Sequence, residues 1–177
     1  MNERQPWFEH KFNFGIDKGW TFNIMSRIKD CEIRIAHHCA SLDENSLSSK
    51  IGKKWSIKEN IGHLIDLEPL WMNRFKQFEN LLPELIAADM ANKKTSNANH
   101  NDNTIGALLN EFRFERNKLI DTFNNLSENA QNHSSYHARL GVMMKPVDLL
   151  FFIAEHDNHH LASIIDLKND IVTAQVT

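Results

Sequence analysis

Cysteine is scarce in this chain of 177 residues, occurring only as Cys31 and Cys39. The two lie in a stretch that reads as helix, where their spacing sets the Cα atoms about 12 Å apart, too far for a disulfide. No Cys-x-x-Cys pair is present. Both thiols are expected to be reduced and at least partly buried, as free cysteines usually are. Long hydrophobic runs are missing as well: nothing approaches the roughly 20 apolar residues of a membrane-spanning helix. The first 17 residues lack an apolar block ahead of a small-residue cleavage site, so no secretion signal is read and the cytoplasm is the expected compartment. There is no basic excess. Lys and Arg number 20 against 23 Asp and Glu, the net charge is -3, and no basic stripe is seen, so neither nucleic acid nor membrane is an expected partner. Sustained two-residue alternation is absent, so no sheet is expected. Internal repeats, a Gly-rich phosphate loop and a nucleophile elbow are absent too.

What is present suits one helical domain. Apolar residues make up 41% and charged residues 24%, enough for one real core in a single domain over 1–177, with 1–17 as an N-terminal extension. The apolar spacing predicts four long helices. The first covers about 18–40 and is carried by Phe22, Met25, Ile28, Cys31 and Ile35. The second follows Trp55, where Ser56 and Glu59 form a capping-box pair, and runs through Ile61, Leu64, Trp71, Phe75 and Phe78 to about 80. The third begins near Thr104 with Leu108, Phe112, Leu119 and Phe123. The fourth opens at Pro146, a favoured first helical residue, with Asp148 in its first turn. The 81–103 link, with one short helical turn expected around 83–90, is too long for a tight antiparallel turn. It could cross the bundle and leave the second and third helices parallel. Residues 127–145 form a second substantial link.

Ten histidines are many for this length. On the fourth helix, each residue turns about 100°, so with Leu149 at zero His156 falls near -20° and His160 near +20°. Both lie in the middle of the apolar stripe, while His159 sits on its shoulder near -80°. An i, i+4 pair of imidazoles on one face can share a metal ion, although a hydrogen bond to a carboxylate would also satisfy a buried histidine. A third ligand is offered by His63, at the edge of the apolar stripe of the second helix. Its neighbours Glu59 and Asp66 read as a capping residue and a solvated charge. His37, His38, His133 and His137 read as surface histidines, and His100 lies in the long link, within conceivable reach of the site. Trp7, Trp20, Trp55 and Trp71 read as packing residues rather than a ligand cage. Glu-x-x-His on two helices, as in di-iron bundles, is absent because residues 62 and 158 are Gly and Asn. The zincin pattern His-Glu-x-x-His is absent as well. Three histidines without cysteine leave a coordination position open, as in catalytic rather than structural sites.

The segment Lys54-Trp-Ser-Ile-Lys-Glu-Asn-Ile-Gly-His-Leu-Ile-Asp-Leu-Glu68, followed by Phe151-Phe-Ile-Ala-Glu-His-Asp-Asn-His-His-Leu-Ala-Ser-Ile164, resembles the DinB family. Phe112-Arg-Phe-Glu-Arg116 and the 137–143 approach to the fourth helix extend the resemblance over most of the chain. The resemblance implies an all-α four-helix bundle with a long crossover between helices 2 and 3. It also implies one divalent transition metal ion (zinc, nickel or iron) held by His63, His156 and His160. Related members include S-transferases that use low-molecular-weight thiols such as bacillithiol or mycothiol, isomerases, and many of no assigned activity. Fold does not fix function.

The leading expectation is a metal-dependent enzyme that activates a bound thiol or water for transfer to, or hydrolysis of, a small molecule. The alternative is a non-catalytic metal-binding or stress-response interaction protein. A small-molecule substrate, in the thiol-transfer version a low-molecular-weight thiol, and a homodimer are the expected partners. The catalytic residues beyond the metal ligands are left unassigned.

Overall fold

The computed structural model describes residues 5–176. Four long helices dominate it: α1 (Thr21–Cys39), α3 (Ile57–Glu79), α5 (Ile105–Asn124) and α7 (Pro146–Val176). Three helices of a single turn or so lie between them: α2 (Glu44–Ser48), α4 (Lys93–Asn97) and α6 (Glu128–Asn132). Their starts follow the chemistry of the caps. The Ser56 side chain accepts from Glu59 N while Glu59 accepts from Ser56 N, and the side chains of Thr104, Ser127 and Asp43 cap α5, α6 and α2 by accepting from Ala107 N, Ala130 N and Ser46 N. Among the described residues no helix is long and apolar enough to cross a membrane.

Side-chain pairs fix the helix directions. Glu68 meets Arg116, Phe75 meets Phe123, and Glu79 accepts from Ser127 N. The same offset of 48 residues recurs along the pair, so α3 and α5 run parallel. Arg27 with Glu155 and Arg34 with Asn158 likewise make α1 and α7 parallel. In contrast, Asn60 meets His160 while Trp71 meets Phe152, so α3 and α7 are antiparallel. The bundle is therefore up-down-down-up. The long 81–103 link is the crossover that a parallel α3–α5 pair requires.

Three expectations from the sequence are corrected. A two-stranded hairpin exists, β1 (Ser135–His137) paired antiparallel with β2 (Val142–Met144) and turned at Gly141, whose φ is +67°. Strands of three residues are too short to show alternation. Second, 83–90 is not helical: Leu85 N donates to Tyr136 O and Tyr136 N to Pro83 O, so the link runs beside β1, and the helical turn lies at α4 instead. Third, Phe22 is 83% exposed and does not carry the buried face of α1, whereas Met25, Ile28, Cys31 and Ile35 do.

The apolar core has two halves. One gathers Ile28, Phe75, Phe123 and Ile153; the other gathers Ile35, Ile61, Phe112 and Ile164. Between them lies a polar layer. The guanidinium of Arg116, 3% exposed, donates to Glu68, to both oxygens of Asp157 and to Ile28 O. Cys31 is buried against this layer, and burial, then the Asp157 charge, push its thiol well up; burial takes Cys39 up to about 11. Both are free, as expected, and neither has thiolate character at neutral pH.

Removing the cation strands two buried carboxylates. Arg116→Ala is expected to lower stability by about 3–5 kcal/mol. Urea denaturation followed by circular dichroism measures this, and a loss below ~1 kcal/mol would mean the layer carries no such weight.

Candidate metal centre

His63 stands on α3, and His156 and His160 stand one turn apart on α7. The antiparallel packing of these helices brings their rings together, with centroids 5.4 Å (His63–His156), 4.8 Å (His63–His160) and 4.6 Å (His156–His160) apart. One ligand nitrogen from each lies within 4.8 Å of the others, and all three residues are buried. His159 is half-buried at the cavity wall and is not in the group.

Two of the imidazoles have their tautomers set by neighbours. Asn60 Nδ2 donates to Ser56 O, which turns its Oδ1 toward His160 Nδ1 at 2.9 Å. That nitrogen must donate, leaving Nε2 as the basic atom of His160. His63 Nδ1 lies 3.1 Å from Thr95 Oγ1, and the Thr95 hydroxyl donates to Asp66, so His63 also donates through Nδ1 and keeps Nε2 basic. His156 Nδ1 is buried and has no hydrogen-bond partner. Burial pulls His63 down to about 4 and drives His156 well below the usual imidazole range. Neutral imidazole is the form that ligates. Three imidazoles with no thiolate or carboxylate among them fit a divalent transition ion of borderline softness.

Asp66 organises this side of the site and is not a solvated charge. Its carboxylate accepts from His100 Nε2 at 2.9 Å and pairs with Lys94 at 3.2 Å. Burial pushes Asp66 up, but hydrogen bonds from His100, Thr95 and Lys94 outweigh it and hold the carboxyl below its usual range. His100 comes close without joining the three: its ring fills the space over Gly62, where a Cβ would lie 2.1 Å from His100 Cγ. That close approach is why position 62 has no side chain.

The three histidines open onto a cavity of about 210 Å³. Its walls are aromatic. Trp55 lies 4.8 Å from His63, Trp71 6.0 Å from His156, and Trp7 5.2 Å from both His156 and His159. Of the four tryptophans, only Trp20 lies away from the cavity, 59% exposed. The N-terminal segment delivers Trp7 by running antiparallel to α7, with Phe12 against Phe152 and the amides of Gly15 and Ile16 donating to Asp148. His137 is a further correction: it is 3% exposed and lines the cavity, whereas His37 is exposed and His38 and His133 are half-buried.

The sequence signature of the DinB superfamily matches residues 28–164. The chain belongs to that superfamily. Among solved structures, it is similar to YfiT from Bacillus subtilis, described as a probable metal-dependent hydrolase with an unusual four-helix bundle topology. The TM-score is 0.76 at 16% identity, over 92% of this chain and 94% of that one. It is also similar to the mycothiol-dependent maleylpyruvate isomerase, with a TM-score of 0.64 and 14% identity over 81% of this chain. The match spans 60% of that isomerase's length. Identities this low establish a shared fold. No curated protein matches the sequence.

In this DinB-superfamily chain, Asn60, Thr95 and the three tryptophans at the cavity are the site residues that sequence reasoning missed. Asn60 had a usable signal, since it precedes His63 by three residues and shares its helix face. Thr95 had none, because only the crossover's path brings it there.

The histidines make stability depend on pH. His63 and His137 are both pulled down to about 4, chiefly by burial, and His156 lies lower than usual as well. Unfolded imidazoles titrate near ~6.5, so between about 4 and 6.5 the unfolded chain binds more protons, and stability rises with pH across that window. Glu68, which burial pushes up to about 7, works in the opposite direction but is one group against three. Thermal melts of metal-free protein at pH 7, 6 and 5 are expected to show a stepwise fall in Tm. A flat profile over that range would contradict the buried neutral state.

Proposed function

We propose that this DinB-superfamily chain is a metal-dependent enzyme. Its ion is one divalent transition metal (zinc, nickel or iron) held by His63, His156 and His160. Its reaction is the activation of water or a thiol for hydrolysis of, or transfer to, a small molecule. The observation that supports this most is the convergence of three buried imidazoles on the wall of a cavity, two of them with Nδ1 occupied. An ion on three such ligands supplies Lewis acidity, which turns water or a thiol into a nucleophile at neutral pH.

The chain's own residues account for the rest. Asn60 and Thr95 orient two of the rings, so their basic nitrogens need no reorganisation to ligate. Trp7, Trp55 and Trp71 wall the histidines with apolar surface, which lowers the local dielectric and restricts water to the cavity. A cavity of about 210 Å³ is below the usual range for drug-sized ligands, roughly 300–1,000 Å³, so it encloses a small substrate or one end of a larger one. Thiol-dependent chemistry and hydrolysis stand side by side, since the names of the structural relatives include both a thiol-dependent enzyme and a hydrolase.

Protein purified without a metal-affinity column and titrated with zinc, nickel or iron is expected to take up one equivalent. Thr95→Val and Asn60→Ala should each weaken uptake by about 10–100-fold, and His156→Ala by more. Metal-loaded protein is then incubated with low-molecular-weight thiols and chlorinated or epoxide electrophiles, and with hydrolysable esters and amides. Turnover above the His156→Ala control is expected. Uptake unchanged in all three variants would exclude these ligands, and uptake without turnover would favour a non-catalytic metal-binding role.

A further inference from the structure

One wall of the cavity carries two guanidinium groups that no carboxylate among the described residues pairs with. Arg74, only 2% exposed, gives Nε and Nη2 to a single neutral acceptor, Ile86 O, at 3.0 and 2.8 Å. Arg139, from the hairpin turn, is exposed at the same cavity and stacks over Phe152 at 5.8 Å. Among the described residues neither guanidinium has a carboxylate partner; Asp89, which also lines the cavity, is engaged by the amides of Ala91 and Lys93 at 2.9 Å each. Between the arginines lies His137, buried, with neither ring nitrogen meeting a hydrogen-bond partner. A smaller cavity of about 80 Å³ shares these three residues as walls.

A buried guanidinium without a counter-ion is costly, and so is a buried imidazole without partners. Both costs fall if an anion with two acceptor oxygens enters. From this arrangement we infer that Arg74, Arg139 and His137 form a carboxylate-binding pole, and that the substrate is a small organic acid. Its charged end would meet this pole while its reacting end faces His63, His156 and His160. Arginine's planar fork matches a carboxylate bidentately, and the imidazole N–H adds a third donor. The field of the pole is already felt by His137, pulled down to about 4 by burial and then by Arg74 and Arg139, and by Arg74, brought down to about 10 by burial and Arg139. Phe152 and Trp71 separate the two ends with apolar surface: Phe152 lies 6.0 Å from the His137 ring, and Trp71 lies 5.1 Å from the Arg74 guanidinium and 6.0 Å from His156.

This inference deepens the proposed function, and its test separates the two. The probes are 4-mercaptobutyrate and its neutral amide, each titrated with and without zinc while quenching of the cavity tryptophans is followed. The acid is expected to bind at least about tenfold tighter than the amide, the scale of a charge-assisted hydrogen bond. That preference should persist without zinc, fall to within about twofold in Arg139→Gln and be partly retained in Arg139→Lys. Arg139 is the position to vary because it is exposed and its loss does not threaten the fold. Equal affinity for acid and amide, or no quenching by either, would overturn the carboxylate pole whatever zinc does. A preference that survives while zinc leaves both affinities unchanged would support the pole and count against the metal reading.

Discussion

The fold is organised around holding three buried imidazoles together, with a ligand nitrogen of each within 4.8 Å of the others. A buried imidazole is costly unless its polar atoms are satisfied, and two of these three find partners in distant parts of the chain. Asn60, a turn before His63, holds His160 on the opposite helix. Thr95, on a short helix inside the crossover, holds His63 and passes the contact on to Asp66. The parallel pairing of α3 and α5 is what requires a crossover, and the crossover is what brings Thr95 and His100 over the N-terminal half of α3. Topology and site chemistry are thus one constraint seen at two scales.

Charge is laid out in layers around the three rings. Behind the histidines, Arg116 with Glu68 and Asp157 forms an ionic layer that separates two apolar half-cores. Asp157 directly follows His156, so the layer also restrains the turn of α7 that carries two of the three rings. On the cavity side the balance differs: Arg74 and Arg139 face the same space as the histidines, and no carboxylate among the described residues pairs with either. One cluster pairs its charges within the protein and serves the fold. The other is left for something that enters.

The sequence disclosed the parts of this design that repeat and concealed those that do not. The long helices follow from apolar spacing over five or more turns, and the capping box at Ser56 marks the start of α3 directly. The helical wheel also separated His160 from His159, because 100° per residue leaves little doubt about which side of α7 faces inward. The hairpin was invisible, since three-residue strands hold no period. Asp66 was read as solvated because nothing local announces that His100 and Lys94 fold back onto it. His137 was misread for the same reason, and the places of Trp7 and Trp55 at the cavity went unread: a single side chain on a loop has no pattern, and its burial is decided by the path of segments far away in sequence. The N-terminal segment shows this most clearly, because the place of Trp7 against His156 and His159 depends on the irregular chain of 10–17 tracking along α7.

The central claim is that these three rings share one ion. A crystal of the protein soaked in zinc, with anomalous differences measured at the zinc edge, addresses it most directly. The expected result is one strong peak at about 2.0–2.1 Å from the Nε2 atoms of His63, His156 and His160, with Asn60 and Thr95 still bonded to the Nδ1 atoms behind them. A peak elsewhere, on the His37 and His38 pair for example, or rings that turn apart with no peak between them, would contradict it.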